Sequence, residues 1–127
     1  MSEYIKKMRQ DANAAEKFFA KRLAFTLGPV ELKHMLEEKK VKLIDVRRKE
    51  DYDEGHIPEA ISIPKDELKN RLSELSKDDV HVVYCYNQQC HLAAAAAYSL
   101  AESGYPVMEL EGGFMVWQED FGFEVEK

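Results

Sequence analysis

The chain has 127 residues, 45% of them hydrophobic and 33% charged, which fits one domain with its own core and excludes a long disordered or repetitive protein. A formal net charge of −6, with the basic residues scattered, argues against a nucleic-acid or anionic-membrane surface. The longest near-apolar stretch, Leu92 to Leu100, is too short to span a bilayer, and the start Met1-Ser2-Glu3-Tyr4 lacks the plan of a secretory signal, so a cytoplasmic location with reduced thiols is expected.

Residues 3–23 have the spacing of an amphipathic helix, with Tyr4, Ile5, Met8, Ala12, Ala15, Phe18, Phe19 and Leu23 on one face. This helix is expected as a lid packed on the core, with a dimerisation face as the alternative, and residues 1–23 are set apart from a domain over 24–127. Gly28-Pro29 breaks the chain and opens a second helix to about Lys39. From residue 41 the period changes. Val41 to Val46 is a strand, Lys49 to Glu54 a helical turn closed by Gly55, and Ile61-Ser62-Ile63 a brief strand ended by Pro64. Asp66 to Leu75 has helical spacing, and Val80 to Tyr84 is β-branched enough for a central strand. A loop from Cys85 to Gln89 leads into a helix from about Cys90 to Ser103, then a last strand, Val107 to Leu110, and a turn at Gly112-Gly113. Strands alternating with helices imply an α/β domain on a mainly parallel sheet.

The chemistry gathers at Cys85. In open α/β sheets, sites form at the carboxyl ends of strands, and Cys85 stands where a strand feeds a helix. Free backbone N–H groups and the positive end of a helix dipole there bind anions and lower a thiol's pKa. Cys85 is the candidate nucleophile.

Three motifs carry a resemblance. The first is Leu43-Ile44-Asp45-Val46-Arg47, followed by Tyr52 and by Gly55-His56-Ile57-Pro58-Glu59-Ala60 through Pro64. The second is Val82-Val83-Tyr84-Cys85 with the alanine-rich helix behind it. The third runs from Gly104-Tyr105-Pro106-Val107 through Leu110, Gly112-Gly113 and Trp117. In this order, from about Ala24 to Trp117, they resemble a single rhodanese-like domain, with Glu59 where glycine is usual. The resemblance implies a three-layer fold, a mainly parallel central sheet flanked by helices, here with an extra N-terminal helix. It also implies a sulfurtransferase whose cysteine takes a sulfane sulfur from a donor and passes the persulfide to a thiol acceptor, small molecule or protein. No cofactor is implied.

The substrate-binding loop is Cys85, Tyr86, Asn87, Gln88, Gln89, Cys90 and His91. The family's usual loop reads C-x-x-G-x-R. Here the length is kept, but Gln88 replaces the glycine and Cys90 the arginine. Without that arginine a bidentate oxyanion clamp is missing, so thiosulfate is not the expected donor. Gln88 is strained if its position demands a positive φ. Two readings of Cys90 stand side by side. As a second thiol it resolves a persulfide or sulfenate on Cys85, which makes the loop a sulfur relay or a thiol redox sensor. Otherwise it is a small residue filling the helix's first turn.

Cys90 and His91 lack partners for zinc, because His34, His56 and His81 sit on separate elements. Asp45 is read as an anchor for loop backbone and Arg47 as its ion-pair partner, with Arg47 and Arg48 also candidate contacts for an anionic substrate. His56 is read as a loop organiser. Phosphatase chemistry is disfavoured, since such loops are one residue longer and keep the arginine.

Overall fold

In the computed structural model, which describes residues 1–127, two short helices come first, α1 (Glu3–Met8) and α2 (Ala12–Phe25). Then follow β1 (Thr26–Leu27), α3 (Pro29–Glu37), β2 (Val41–Asp45), α4 (Lys49–Glu54) and β3 (Ile61–Ser62). Two 3-10 segments, Lys65–Asn70 and Leu72–Glu74, lead to β4 (Val80–Tyr84), α5 (Leu92–Glu102) and β5 (Val107–Leu110). A helical turn α6 (Gly113–Met115) runs on into a wide π-turn, Val116–Asp120.

The five strands form one parallel sheet in the order β1-β5-β4-β2-β3, flanked by helices on both faces. Residues of a strand point alternately to opposite faces. Leu43, Val82 and Tyr84 therefore join Leu32, Leu36, Ile57, Leu110 and Trp117 in a core on one side. Ile44, Val83 and Cys85 join Ile63, Leu68, Ala93, Ala96 and Leu100 on the side of α5. Each fully buried aliphatic side chain contributes roughly 1.5–3 kcal/mol. The same alternation puts the Cys85 sulfur on the α5 face, one residue beyond the end of β4. The pairing of β2 with β4 sets Asp45 opposite Tyr84, so the carboxyl ends of both central strands meet at one edge.

Several boundaries differ from the reading of the sequence, each for a local reason. The first helix is broken at Arg9–Asp11, because Asp11 is extended and its carboxylate accepts the N–H of Ala14, starting a new helix. No residue of α1 or α2 is buried; Phe18, Phe19 and Leu23 are exposed, so these helices do not lie on the core as a lid. Arg22 of α2 reaches Glu111 at 3.2 Å, and the two-residue β1 that follows, too short to show a period, pairs with β5. Gln88 does not have a positive φ; among non-glycine residues only Lys39 and Glu59 do, and Glu59 (φ 73°) is the position where the resembled family has glycine.

Candidate active site

Cys85 leaves β4 and the chain then makes a tight loop into α5. Asn87 organises that loop. Its side-chain Oδ1 accepts the N–H groups of Gln89 and Cys90, both at 3.1 Å, and its carbonyl accepts Cys90 N–H at 3.2 Å. This turn holds Cys90 outside the helix. The first regular helical residue is Leu92, and His91, at the N-cap position, is exposed and makes no side-chain cap. Gln88 and Gln89 are exposed as well, while Tyr86, Asn87 and Cys90 are half-buried.

The Cys85 sulfur lies under this loop and the residue is only 2% exposed. Its thiol donates to the carbonyl of Cys90 at 3.5 Å and approaches that of Asn87 at 4.0 Å. Both cysteines are free thiols. Burial, aided by the contact with Cys90, pushes the Cys85 thiol up to about 11, although the N–H groups of Ala93 and Tyr86 pull the other way. For Cys90 burial also opposes charge, but less strongly. A hydrogen bond from the Cys85 thiol and the N–H groups of Leu92 and Tyr86 outweigh it, and Cys90 falls below the usual thiol range. The helix start was expected to lower the Cys85 thiol; instead the two shifts run in opposite directions, up for the buried Cys85 and down for Cys90.

A half-buried thiol whose pKa is lowered alkylates before a buried one whose pKa is raised. With iodoacetamide at neutral pH, Cys90 is expected to react well ahead of Cys85, and the Cys85 rate should climb towards pH 11. Peptide mapping at several pH values checks this; equal labelling at neutral pH would contradict it. The sign for stability is consistent. A thiol raised in the folded state contributes stability that is complete below 9.0 and is lost as pH rises through about 11.

The loop is clamped from outside by a segment that the sequence suggested only as a turn. Phe114 N–H donates to the Cys85 carbonyl and Met115 N–H to that of Tyr86, both at 2.9 Å, and Gly112 N–H donates to Gln88 Oε1 at 2.6 Å. Gly113 (φ +63°) sits so close that a Cβ would lie 2.7 Å from the Cys85 oxygen and 2.9 Å from Asn87 N. A doubled glycine after the last strand was the available signal. Tyr86 ties the loop to α4, since its hydroxyl donates to Asp51, which Arg48 also approaches at 3.2 Å. Glu109, on the half-buried face of β5, was also not foreseen. Burial, then Glu111, raises its carboxyl, and its charge is felt at Cys90.

Asp45 and Arg47 lie on the sheet face of Leu43 and Tyr84, opposite the Cys85 sulfur. Asp45 is fully buried and accepts Arg47 N–H (2.9 Å), Arg47 Nε (3.1 Å) and Nη2 (2.7 Å), and the Tyr84 hydroxyl (2.7 Å). Arg47 Nη2 also donates to the Gly55 carbonyl at 2.7 Å, and the guanidinium stacks on Phe114, 4.2 Å from its centroid. With its side chain 5% exposed, Arg47 is not placed as a free clamp for an anion. Arg48 is exposed and engaged with Asp51. His56 stacks on Tyr52 at 3.7 Å, its Nδ1–H donates to the Tyr52 carbonyl, and its backbone pairs with Glu126, so it holds the chain end. The candidate site residues therefore separate: those from Cys85 to Cys90 form the loop after β4 with His91 at its exit, Asp45 and Arg47 form a buried pair with the Tyr84 hydroxyl, and His56 packs on Tyr52. No three His, Cys, Asp or Glu side chains are grouped as metal ligands would be, and no helix is long and apolar enough to cross a membrane.

Comparison with known proteins agrees with this fold. The family profile described as a rhodanese-like domain matches residues 28–120. The chain is 41% identical over 88 residues to the HTH-type transcriptional regulator Rv0324 of Mycobacterium tuberculosis, a match covering 69% of this chain but only 39% of the regulator. It is 32% identical over 90 residues to the thiosulfate sulfurtransferase GlpE of Shewanella oneidensis, covering 70% of this chain and 87% of that protein. The crystal structure of the BH2092 protein from Bacillus halodurans superposes with a TM-score of 0.85 at 34% identity, covering 91% of this chain and 86% of that one.

Proposed function

The chain belongs to the rhodanese-like domain family, and from that premise we propose that it is a sulfurtransferase carrying a sulfane sulfur as a persulfide on Cys85. The observation that carries this reading is the Cys85 sulfur just past the end of β4, with the N–H groups of Ala93 and Tyr86 opposing the effect of burial on its thiol and a second free thiol, Cys90, in the same loop.

The steps follow from those contacts. Cys90, once ionised, takes the Cys85 proton. The freed Cys85 thiolate attacks the outer sulfur of the donor, a Cys85–sulfur bond forms, and the donor's remaining thiolate leaves with the bonding electron pair. The Tyr86 and Ala93 N–H groups steady the anionic persulfide. An acceptor thiolate then attacks the outer sulfur and Cys85 leaves as thiolate. With Cys90 in place of an arginine, a small persulfide or polysulfide suits the loop better than thiosulfate, whose sulfonate finds no free guanidinium. A cytoplasmic setting, where both thiols stay reduced, is part of this reading.

Incubation with glutathione persulfide, polysulfide and thiosulfate in turn, followed by prompt intact-mass measurement, tests it. A one-sulfur adduct is expected with at least one of the first two and is lost in Cys85→Ser. The absence of a Cys85-dependent product with every donor would discard the carrier. A second reading, a thiol redox sensor or non-catalytic binding module, draws on the contact between the two thiols and on the similarity to a transcriptional regulator. It would take over if mild peroxide gave a reversible Cys85–Cys90 disulfide while no sulfur was accepted.

A further inference from the structure

The loop is poorly furnished for storing an anion. The carbonyl oxygens of Cys90 and Asn87 face the Cys85 sulfur at 3.5 and 4.0 Å. The amides of Gln89 and Cys90, which could have turned towards it, are taken by Asn87 Oδ1 at 3.1 Å. A persulfide on Cys85 therefore meets lone pairs on one side, which weaken the stabilisation that N–H donors provide. In the same loop Cys90, half-buried, packs against the cluster that holds Cys85, and its carbonyl lies 3.5 Å from the Cys85 sulfur. A thiolate held against a sulfur–sulfur bond attacks it far faster than one arriving from solution.

We propose that Cys90 resolves the Cys85 persulfide within the loop, releasing the carried sulfur as hydrosulfide and leaving a Cys85–Cys90 disulfide. This rests on the sulfur-carrying reading above and makes the protein a persulfide-reducing catalyst rather than a simple carrier. The balance closes without an outside oxidant. The proton that Cys90 took up during loading passes to the outer sulfur, the Cys90 thiolate so formed attacks Cys85 Sγ, and a bond forms between the two cysteine sulfurs. The bond from Cys85 Sγ to the outer sulfur breaks, and its electron pair leaves as HS⁻. The outer sulfur gains two electrons and the two cysteines together lose two. A low-molecular-weight or protein dithiol then reduces the disulfide by ordinary thiol–disulfide exchange and restores the pair. The five-residue spacing suits this cycle, because the closed ring is short and confined to one loop.

The test uses the whole chain, fully reduced and kept free of oxygen. It is loaded with a slight deficit of glutathione persulfide and separated at once from small molecules. Intact mass and bimane-trapped hydrosulfide are then followed. The wild type is expected to end two hydrogens lighter, with one hydrosulfide per loaded chain and a peptide map joining Cys85 to Cys90. Cys90→Ser and Cys90→Ala are expected to load more slowly, to keep the one-sulfur adduct on Cys85, and to lose hydrosulfide release. An adduct that lasts as long in the wild type as in those variants would overturn the resolving role while leaving the carrier intact. So would an extra sulfur found on Cys90. If no chain containing Cys85 takes up sulfur, both readings fall, and the loading step identifies which one failed.

Discussion

Asp45→Ala is expected to remove about 3–5 kcal/mol of folding stability, the range for deleting one partner of a buried ion pair. The carboxylate is 0% exposed and the Arg47 guanidinium beside it cannot lose its charge, so the variant would leave a cation under the sheet edge with no counterion. The Tyr84 hydroxyl would lose its acceptor, and the turn at Arg47 would lose the carboxylate that receives its N–H. Against a total of roughly 5–15 kcal/mol for a domain of this kind, such a loss is a large part of the margin. Urea unfolding followed by circular dichroism measures it. Asp45→Asn keeps the shape and one acceptor oxygen and should fall between the two. A loss below about 1 kcal/mol for the alanine variant, the scale of an exposed pair, would mean that the site is wetter than its burial indicates.

Gly113→Ala is expected to abolish Cys85-dependent sulfur loading while the chain remains folded. The left-handed backbone at Gly113 (φ +63°) costs an alanine about 1–2 kcal/mol. The new Cβ would also lie 2.7 Å from the Cys85 oxygen and 2.9 Å from both Asn87 N and Tyr86 C, all backbone atoms that no rotamer change can move aside. Either the cysteine loop or α6 must withdraw. The bonds from Phe114 and Met115 to the loop then break, at roughly 0.5–1.5 kcal/mol each. Thermal unfolding and the donor mass assay, run side by side, separate lost chemistry from lost fold. A variant that loads at the wild-type rate would show that the clamp does not position the sulfur.

Much of this protein follows from its residues alone. The β-branched run Val80 to Tyr84, its helical neighbours and the three ordered motifs define the α/β class, the family and the place of Cys85, because hydrophobic period and turn residues are local properties. The shift of Gln88 from glycine, by contrast, suggested a strain that does not exist, since φ belongs to the folded loop; the strained position is Glu59. The amphipathic pattern of residues 3–23 indicated an apolar face but not whether that face would be covered, and it is exposed. Only the tertiary structure brought Gly113 of the last turn against the Cys85 backbone and set Tyr84 opposite Asp45. It also decided which way each thiol shifts. A thiol's pKa reflects burial and neighbours gathered from different parts of the chain, and here those raise the buried Cys85 and lower Cys90.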